Sequence, residues 1–245
     1  MNLSMMRPPI RYSARTHIGR VRKVNEDSIL ALPDQRIWVV ADGMGGHEAG
    51  DFASQTITET VAMIEPDLPP GELMRQLRDR IVMAHDMVRV AGETRFHATV
   101  GSTVVALILS ETHFAALWAG DSRAYLLRDG KISMLTTDHS LVGEFVAQGQ
   151  MTWDEAEHHP QSNAITRAVG VGDTLEIDKV HGEVMPGDRF LLCSDGLTKY
   201  AGFAALERML KNAPIETVVD RLIEHALASG GGDNVSVIVV DVPPA

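Results

Sequence analysis

Five aspartates recur at one kind of place, the point where an apolar run meets glycine or another polar break. Asp42 follows Ile37-Trp38-Val39-Val40-Ala41 and precedes Gly43; Asp121 follows Ala116-Leu117-Trp118-Ala119-Gly120; Asp195 follows Phe190-Leu191-Leu192-Cys193-Ser194 and precedes Gly196. Asp233 lies between Gly230-Gly231-Gly232 and the last apolar run, and Asp27, in Asn25-Glu26-Asp27, lies just before the run Ile29 to Leu32. One Asp-Gly after a strand is ordinary turn chemistry. A turn, however, needs no partner at other strand ends, whereas a hard divalent cation needs several carboxylates, often with a backbone carbonyl, converging from separate elements. Strand ends of a packed sheet are rigid enough to hold such a set, and glycine lets the backbone itself approach the ion. The repeated pattern points to a Mg²⁺ or Mn²⁺ site.

Competing chemistries fit less well. A cysteine phosphatase needs C-x5-R, but the sixth residue after Cys193 is Lys199, and Cys193 lies inside an apolar run as a buried structural thiol. His47-Glu48 is followed by Asp51 where a zincin needs its second histidine, and His139, His158 and His159 read as surface or capping residues. No G-x4-GK-[ST] loop is present, and Gly43-Met44-Gly45 lacks the third glycine of a dinucleotide fingerprint.

The elements that must position the aspartates can be read from periodicity. Strand-length runs rich in β-branched or aromatic residues occupy 36–41, 103–109, 113–118, 124–128, 189–193 and 235–241. The second, third and fourth are separated by short polar or glycine breaks, which predicts an antiparallel meander. Helical spacing marks 47–64, 72–90, 203–210 and 215–228, broken by Pro66, Gly92, Pro214 and the triple glycine; the helix over 72–90 is expected to pack in the core. The expectation is an α+β layered domain, antiparallel sheet inside and helical pairs outside.

Composition narrows the function. With 22 Lys+Arg against 33 Asp+Glu the net charge is −11, which argues against nucleic acid and against an anionic membrane surface. One cysteine excludes an internal disulfide framework. The first eleven residues carry two prolines and no apolar core, and no later run spans a bilayer, so a cytoplasmic protein is expected. Arg7, Arg11, Arg15, Arg20, Arg22 and Lys23 precede any acidic residue, giving the acidic chain a basic beginning able to attract phosphorylated segments.

Six blocks in order, Gly19 to Ser28, Asp42-Gly43-Met44-Gly45-Gly46, Gly101-Ser102-Thr103, Gly120-Asp121-Ser122-Arg123, Ser194-Asp195-Gly196-Leu197 and Gly232-Asp233-Asn234, cover nearly the whole chain. Together they resemble the metal-dependent protein Ser/Thr phosphatases of the PPM, or type 2C, family, in its bacterial subgroup. The resemblance implies a four-layer αββα sandwich, residues 1–245 as one domain with a flap at about 140–167, and hydrolysis of phosphoserine and phosphothreonine. It implies two Mn²⁺ or Mg²⁺ ions bridged by Asp42, with the Gly43 carbonyl on one, Asp195 and Asp233 completing the other, and a third ion near Asp121. Asp27 would bind metal or orient its water, Glu26 would act through water, and Arg22 would bind the substrate phosphate. Catalysis would rest on Asp27, Asp42 and Asp195. Two cations acidify a bridging water and neutralise charge during in-line displacement, so no covalent phosphoenzyme is required.

Met44 stands where some relatives, chiefly eukaryotic, carry a histidine proposed as general acid, and Met cannot donate a proton. The family also implies phosphoprotein substrates, an opposing Hanks-type Ser/Thr kinase and a monomer. The alternative is a pseudophosphatase or regulatory binding module of the same fold; every matched aspartate is present, which favours the enzyme.

Overall fold

Branched and aromatic side chains pack well on a pleated surface, and the apolar runs fold accordingly as strands. The computed structural model describes residues 10–46, 48–156, 159–161 and 164–244. Its strands are β1 Arg11–His17, β2 Asp27–Leu32, β3 Ile37–Met44, β4 Gly101–Ser102, β5 Val104–Leu109, β6 His113–Ala119, β7 Arg123–Arg128, β8 Lys131–Met134, β9 Asp178–Glu183, β10 Arg189–Cys193 and β11 Val235–Asp241. The helices are α1 Glu48–Ala62, α2 Pro70–Ala91, α3 Leu141–Ala147, α4 Trp153–Ala156, α5 Asp195–Thr198, α6 Phe203–Asn212 and α7 Ile215–Ala228, with a π-helical turn at Gly92–Phe96.

Two antiparallel sheets result, one ordered β1-β11-β10-β7-β8 and the other β2-β3-β5-β6-β9, with β4 pairing β3. Three apolar clusters separate four layers. Trp38, Val105, Leu107, Phe190 and Ile238 fill the space between the sheets. Ile57, Val61, Leu77 and Ile81 seal α1 and α2 onto the outer face of the second sheet, and Leu206, Leu210, Val218 and Leu222 seal α6 and α7 onto the first. Central strands are therefore covered on both faces, which is why β3 and β5 read as continuous apolar runs rather than alternating ones. Each large side chain buried in these layers contributes roughly 1.5–3 kcal/mol relative to exposure.

The structure corrects the expected meander. β5 and β6 pair, but β7 leaves their sheet and pairs with β10 and β8 in the other. Gly120 makes the crossing possible: its φ is 113°, and a Cβ there would lie 2.6 Å from the Thr103 side chain. Asp121 sits at this crossing. Strands β1, β8 and β9 lie at sheet edges, where charged residues replace apolar periodicity and hide the strand signal. On β1, Arg11 and Arg15 are exposed and pair with Glu216 and Asp220 of α7. α2 packs through Leu73, Leu77, Ile81, Ala84 and Val88 as its spacing predicts. Cys193 is a buried free thiol, as expected. His139 is not a surface residue: it is buried, stacked on Trp118, and its Nδ1 accepts from the Gly120 N–H at 3.1 Å. Arg7, His47 and His158 lie outside the described residues.

Candidate functional site

The floor of the site is the β2–β3 pair, where Asp27 and Asp42 are direct cross-strand partners. Side chains at such positions share one face, roughly 4.5–5.5 Å apart at Cβ. Asp42 is not at a strand end as the sequence suggests; β3 runs on to Met44 because β4 pairs with Gly43 and Met44. Its backbone is fixed on both sides. The Asp42 N–H donates to Thr103 Oγ1 at 3.1 Å, and its carbonyl accepts from the Thr103 N–H at 2.8 Å and from Ser102 Oγ at 3.0 Å. Gly43 is required by the close approach of α1: a Cβ there would fall 2.0 Å from the Gly50 carbonyl oxygen.

Asp195 comes from the opposite sheet, as the first residue of α5 after Ser194. Ser194 Oγ accepts from the Ser236 N–H at 3.0 Å and donates to Asp27 Oδ2 at 2.8 Å, so one hydroxyl joins the two sheets beneath the site. Asn234 does the same for the rim. Its Oδ1 accepts from the Glu26 N–H at 2.8 Å, and its Nδ2 donates to the carbonyls of Ile18 and Val24 at 2.9 and 3.0 Å. The loop carrying Arg22, Glu26 and Asp27 is thereby clamped beside Asp233. Glu26 Oε1 is buried against Gly50, and the Glu26 carbonyl accepts from the Gly43 N–H at 3.0 Å. Asp121 is steadied by its neighbour Ser122, whose Oγ lies 2.7 Å from Thr103 Oγ1.

Electrostatics separates the aspartates. Burial, followed by the charges of Asp27, Asp195, Asp121 and Asp233, pushes the Asp42 carboxyl well above its ordinary value. Burial raises Asp27 to about 7 despite the hydrogen bond from Ser194, and burial with the charges of Asp195 and Asp138 raises Asp121 to about 8. Asp42 thus feels the charge of the other four carboxylates. Asp233 behaves differently. Burial pushes it up, but the hydrogen bond from Arg22 and the charges of Lys199 and Arg22 outweigh burial and hold it below the usual carboxylate range. Arg22 grips Asp233 as a fork, Nε to Oδ1 at 2.8 Å and Nη2 to Oδ2 at 3.0 Å. Lys199 Nζ lies 2.7 Å from Asp195 Oδ2 and 3.1 Å from Asp233 Oδ2.

Among the described residues, no three His, Cys, Asp or Glu side chains converge on one point at metal-ligand spacing. The donor set nevertheless suits hard divalent cations. Asp27 Oδ1, Asp121 Oδ1 and Asp195 Oδ1 are buried oxygens with no hydrogen-bond partner among the described residues, and a buried carboxylate oxygen without a donor is costly unless a cation meets it. Asp27, Asp42, Asp121, Asp195 and Asp233, with the Gly43 carbonyl and Glu26 behind them, are the groups able to hold such ions.

Sequence reasoning located these carboxylates and Arg22 but assigned no role to Ser194, Asn234, Thr103 or Lys199. Ser194 and Asn234 each adjoin a motif aspartate, and Thr103 closes the Gly101-Ser102-Thr103 block, which is the signal that could have drawn attention to them. Lys199 lies one helical turn after Asp195, and that i,i+4 spacing alone predicts the ion pair.

The family model described as Protein phosphatase 2C matches residues 15–234. The serine/threonine protein phosphatase PstP of Mycobacterium tuberculosis is 39% identical over 236 residues; these cover 95% of this chain and 45% of PstP, so the chain spans about half the length of that relative. Among solved structures, PppA of Pseudomonas aeruginosa, described as a key regulatory component of T6SS, superposes with a TM-score of 0.89 at 40% identity, covering 96% of this chain and 98% of that one. The catalytic domain of PstP in complex with two manganese ions superposes with a TM-score of 0.86 at 36% identity, covering 96% and 98%. Motif order, layered fold and relatives agree, and the chain belongs to the protein phosphatase 2C family.

Proposed function

We propose that this chain is a metal-dependent protein serine/threonine phosphatase that hydrolyses phosphoserine and phosphothreonine. The observation that carries the reading is the set of buried oxygens of Asp27, Asp121 and Asp195 that have no hydrogen-bond partner among the described residues, together with Arg22 held on neighbouring Asp233. Two Mn²⁺ or Mg²⁺ ions would be held by Asp42 between them, by the Gly43 carbonyl, and by Asp195 and Asp233, with Asp27 and Glu26 supporting and Asp121 able to hold a third. Bound there, such ions supply activation of water and neutralisation of phosphoryl charge. The protein's own groups do the rest. Arg22 presents a planar, permanently charged fork suited to phosphate oxygens, and Asp233 holds that fork in place. Ser194, by donating to Asp27 Oδ2, leaves Oδ1 as the buried oxygen without a hydrogen-bond partner among the described residues. Met44 packs against Gly101 at the end of β3 and brings no proton for the leaving alkoxide.

Residues 1–245 are read as one domain in which 140–167 forms a flap that touches substrate protein. Supporting this, the segment is pinched at its base by the Ser140–Ile165 bridge and by the Thr166 N–H donating to the His139 carbonyl at 2.8 Å. The proposed setting is a monomer in the cytoplasm opposing a Hanks-type kinase; among the described residues no helix is long and apolar enough to cross a membrane. Stripping metal with EDTA should abolish phosphate release from a phosphothreonine peptide, and adding Mn²⁺ or Mg²⁺ should restore it. No release after metal restoration would overturn the enzyme reading and favour a silent binding module.

A further inference from the structure

The two ends of the carboxylate cluster are not equivalent. Asp195 and Asp233 are met by two cationic side chains of the chain itself: Lys199 bridges Asp195 Oδ2 and Asp233 Oδ2 at 2.7 and 3.1 Å, and Arg22 takes both oxygens of Asp233. At the other end, Asp27 Oδ2 accepts from the neutral Ser194 Oγ, and Asp27 Oδ1 and Asp121 Oδ1, like Asp195 Oδ1 at the first end, have no hydrogen-bond partner among the described residues. Two cations meet the two carboxylates of the first end, whereas among the described residues no Lys or Arg ion pair holds Asp27, Asp42 or Asp121.

Lys199 is placed there by the backbone. It follows the last residue of α5, and its N–H donates to the Asp195 carbonyl at 2.9 Å, so its side chain springs from the same helical turn as the carboxylate it holds. The side chain is two-thirds covered, at 32% exposure, which limits the water that could screen the pair. A divalent ion that takes Asp195 and Asp233 must first part them from this ammonium; an ion that takes Asp27 and Asp42 displaces no cation.

We infer that Lys199 is a built-in competitor cation for the Asp195–Asp233 end of the site, and that it makes the two ion positions unequal in affinity. The inference rests on the proposed metal-dependent reading and names a residue that sets how that site fills. Lys199 keeps the two carboxylates together before an ion arrives and weakens the ion that replaces it. Arg22 cannot substitute, since it reaches only Asp233 among this pair.

The test is direct Mn²⁺ binding to the full chain, freed of metal by chelation and followed by calorimetry and by the EPR signal of free Mn²⁺. Wild type should show a tight and a weaker class. Lys199→Met, which keeps the stem and removes the charge, should tighten the weaker class by about tenfold or more and leave the tight class within about twofold. Lys199→Arg, which keeps the charge, should retain the wild-type pattern, and melting curves of all three proteins establish that they fold. If Lys199→Met binds Mn²⁺ as wild type does, or more weakly, or if Lys199→Arg behaves like Lys199→Met, the competitor role is wrong while the metal-dependent reading stands. A folded wild type that binds no Mn²⁺ overturns both.

Discussion

Asp138 and Asp188 are each buried against an arginine, whereas Asp27 and Asp42 are packed against each other and against further carboxylates. Arg123 meets Asp138 through Nε at 3.0 and 3.1 Å and Nη2 at 2.8 Å, and also donates to the Tyr125 hydroxyl at 3.3 Å. Arg128 meets Asp188 through Nε at 2.8 Å and Nη2 at 2.7 Å. These pairs sit where β7 turns into its neighbours, and their arginines satisfy the carboxylates with bidentate geometry. Asp27 has Ser194, and both Asp27 and Asp42 have further carboxylates as neighbours instead. A carboxylate buried with its arginine holds the fold; one buried with an empty oxygen needs something from outside. The two groups should therefore respond to substitution in opposite ways.

The largest contrast is expected at Asp42. Asp42→Asn removes the carboxylate at the centre of the cluster, and losing several kcal/mol of charge stabilisation lowers turnover of a phosphothreonine peptide by on the order of 10³-fold or more. The same change relieves repulsion with Asp27, so the metal-free protein should melt at the wild-type temperature or above it. A variant that retained near-normal turnover would remove Asp42 from the site. A variant that lost metal-free stability would place Asp42 with the structural aspartates.

Asp138→Ala should behave in reverse. It removes the carboxylate that the guanidinium of Arg123, 6% exposed, grips through Nε and Nη2, and breaking a buried pair in this way costs about 3–5 kcal/mol. Denaturant unfolding should show that loss with or without Mn²⁺. Trp153 of the flap region stacks over the same guanidinium at 4.5 Å, so susceptibility of residues near 150 to limited proteolysis should rise as well. A loss of under about 1 kcal/mol would contradict the division drawn between the two groups.

One side of this division, the cleft aspartates, is legible in the sequence; Asp138 and Asp188 carry no such signal. Asp42, Asp121, Asp195 and Asp233 each adjoin a long apolar run or glycine, and the four central strands carry so little polar residue that their ends stand out. The helical pairs were legible for the same reason, since α2 and α7 each bury a single regular face. The crossing of β7 into the first sheet was not, because β6 and β7 are separated by three residues that would equally suit a hairpin. What forbids the hairpin is tertiary: Gly120 packs on Thr103, between β4 and β5. Asn234 and Ser194 were illegible as clamps because their partners, Ile18, Val24, Glu26 and Asp27, lie more than 160 residues away. Lys199 was weighed only as the wrong residue for a cysteine phosphatase, and its contact with Asp233 depends on how α5 faces the start of β11.

The smallest expected effect is a slope of stability against pH, and its sign discriminates between the two kinds of aspartate. Asp27 and Asp121 have folded values near 7 and 8 against an ordinary 3.8. A carboxyl raised by folding is protonated more readily in the folded state, so its contribution is complete below about pH 4 and is lost as pH rises through the folded value. Buried histidines act the other way at lower pH: burial holds His85 and His139 below the ordinary imidazole value, and their contribution falls away as pH drops below about 6.5. The window that isolates the carboxylates is therefore about pH 6.5 to 8. There the chelated protein should lose at most about 1.4 kcal/mol per pH unit for each titrating group, a decline of a few degrees per unit in Tm. Mn²⁺ should flatten the decline, because a bound cation favours the ionised carboxylates that folding alone disfavours. Asp121→Asn should remove the part of the slope nearest pH 8 in the chelated protein. A Tm that rises with pH across this window without metal would mean that the cleft carboxylates are already satisfied from within, as Asp138 and Asp188 are.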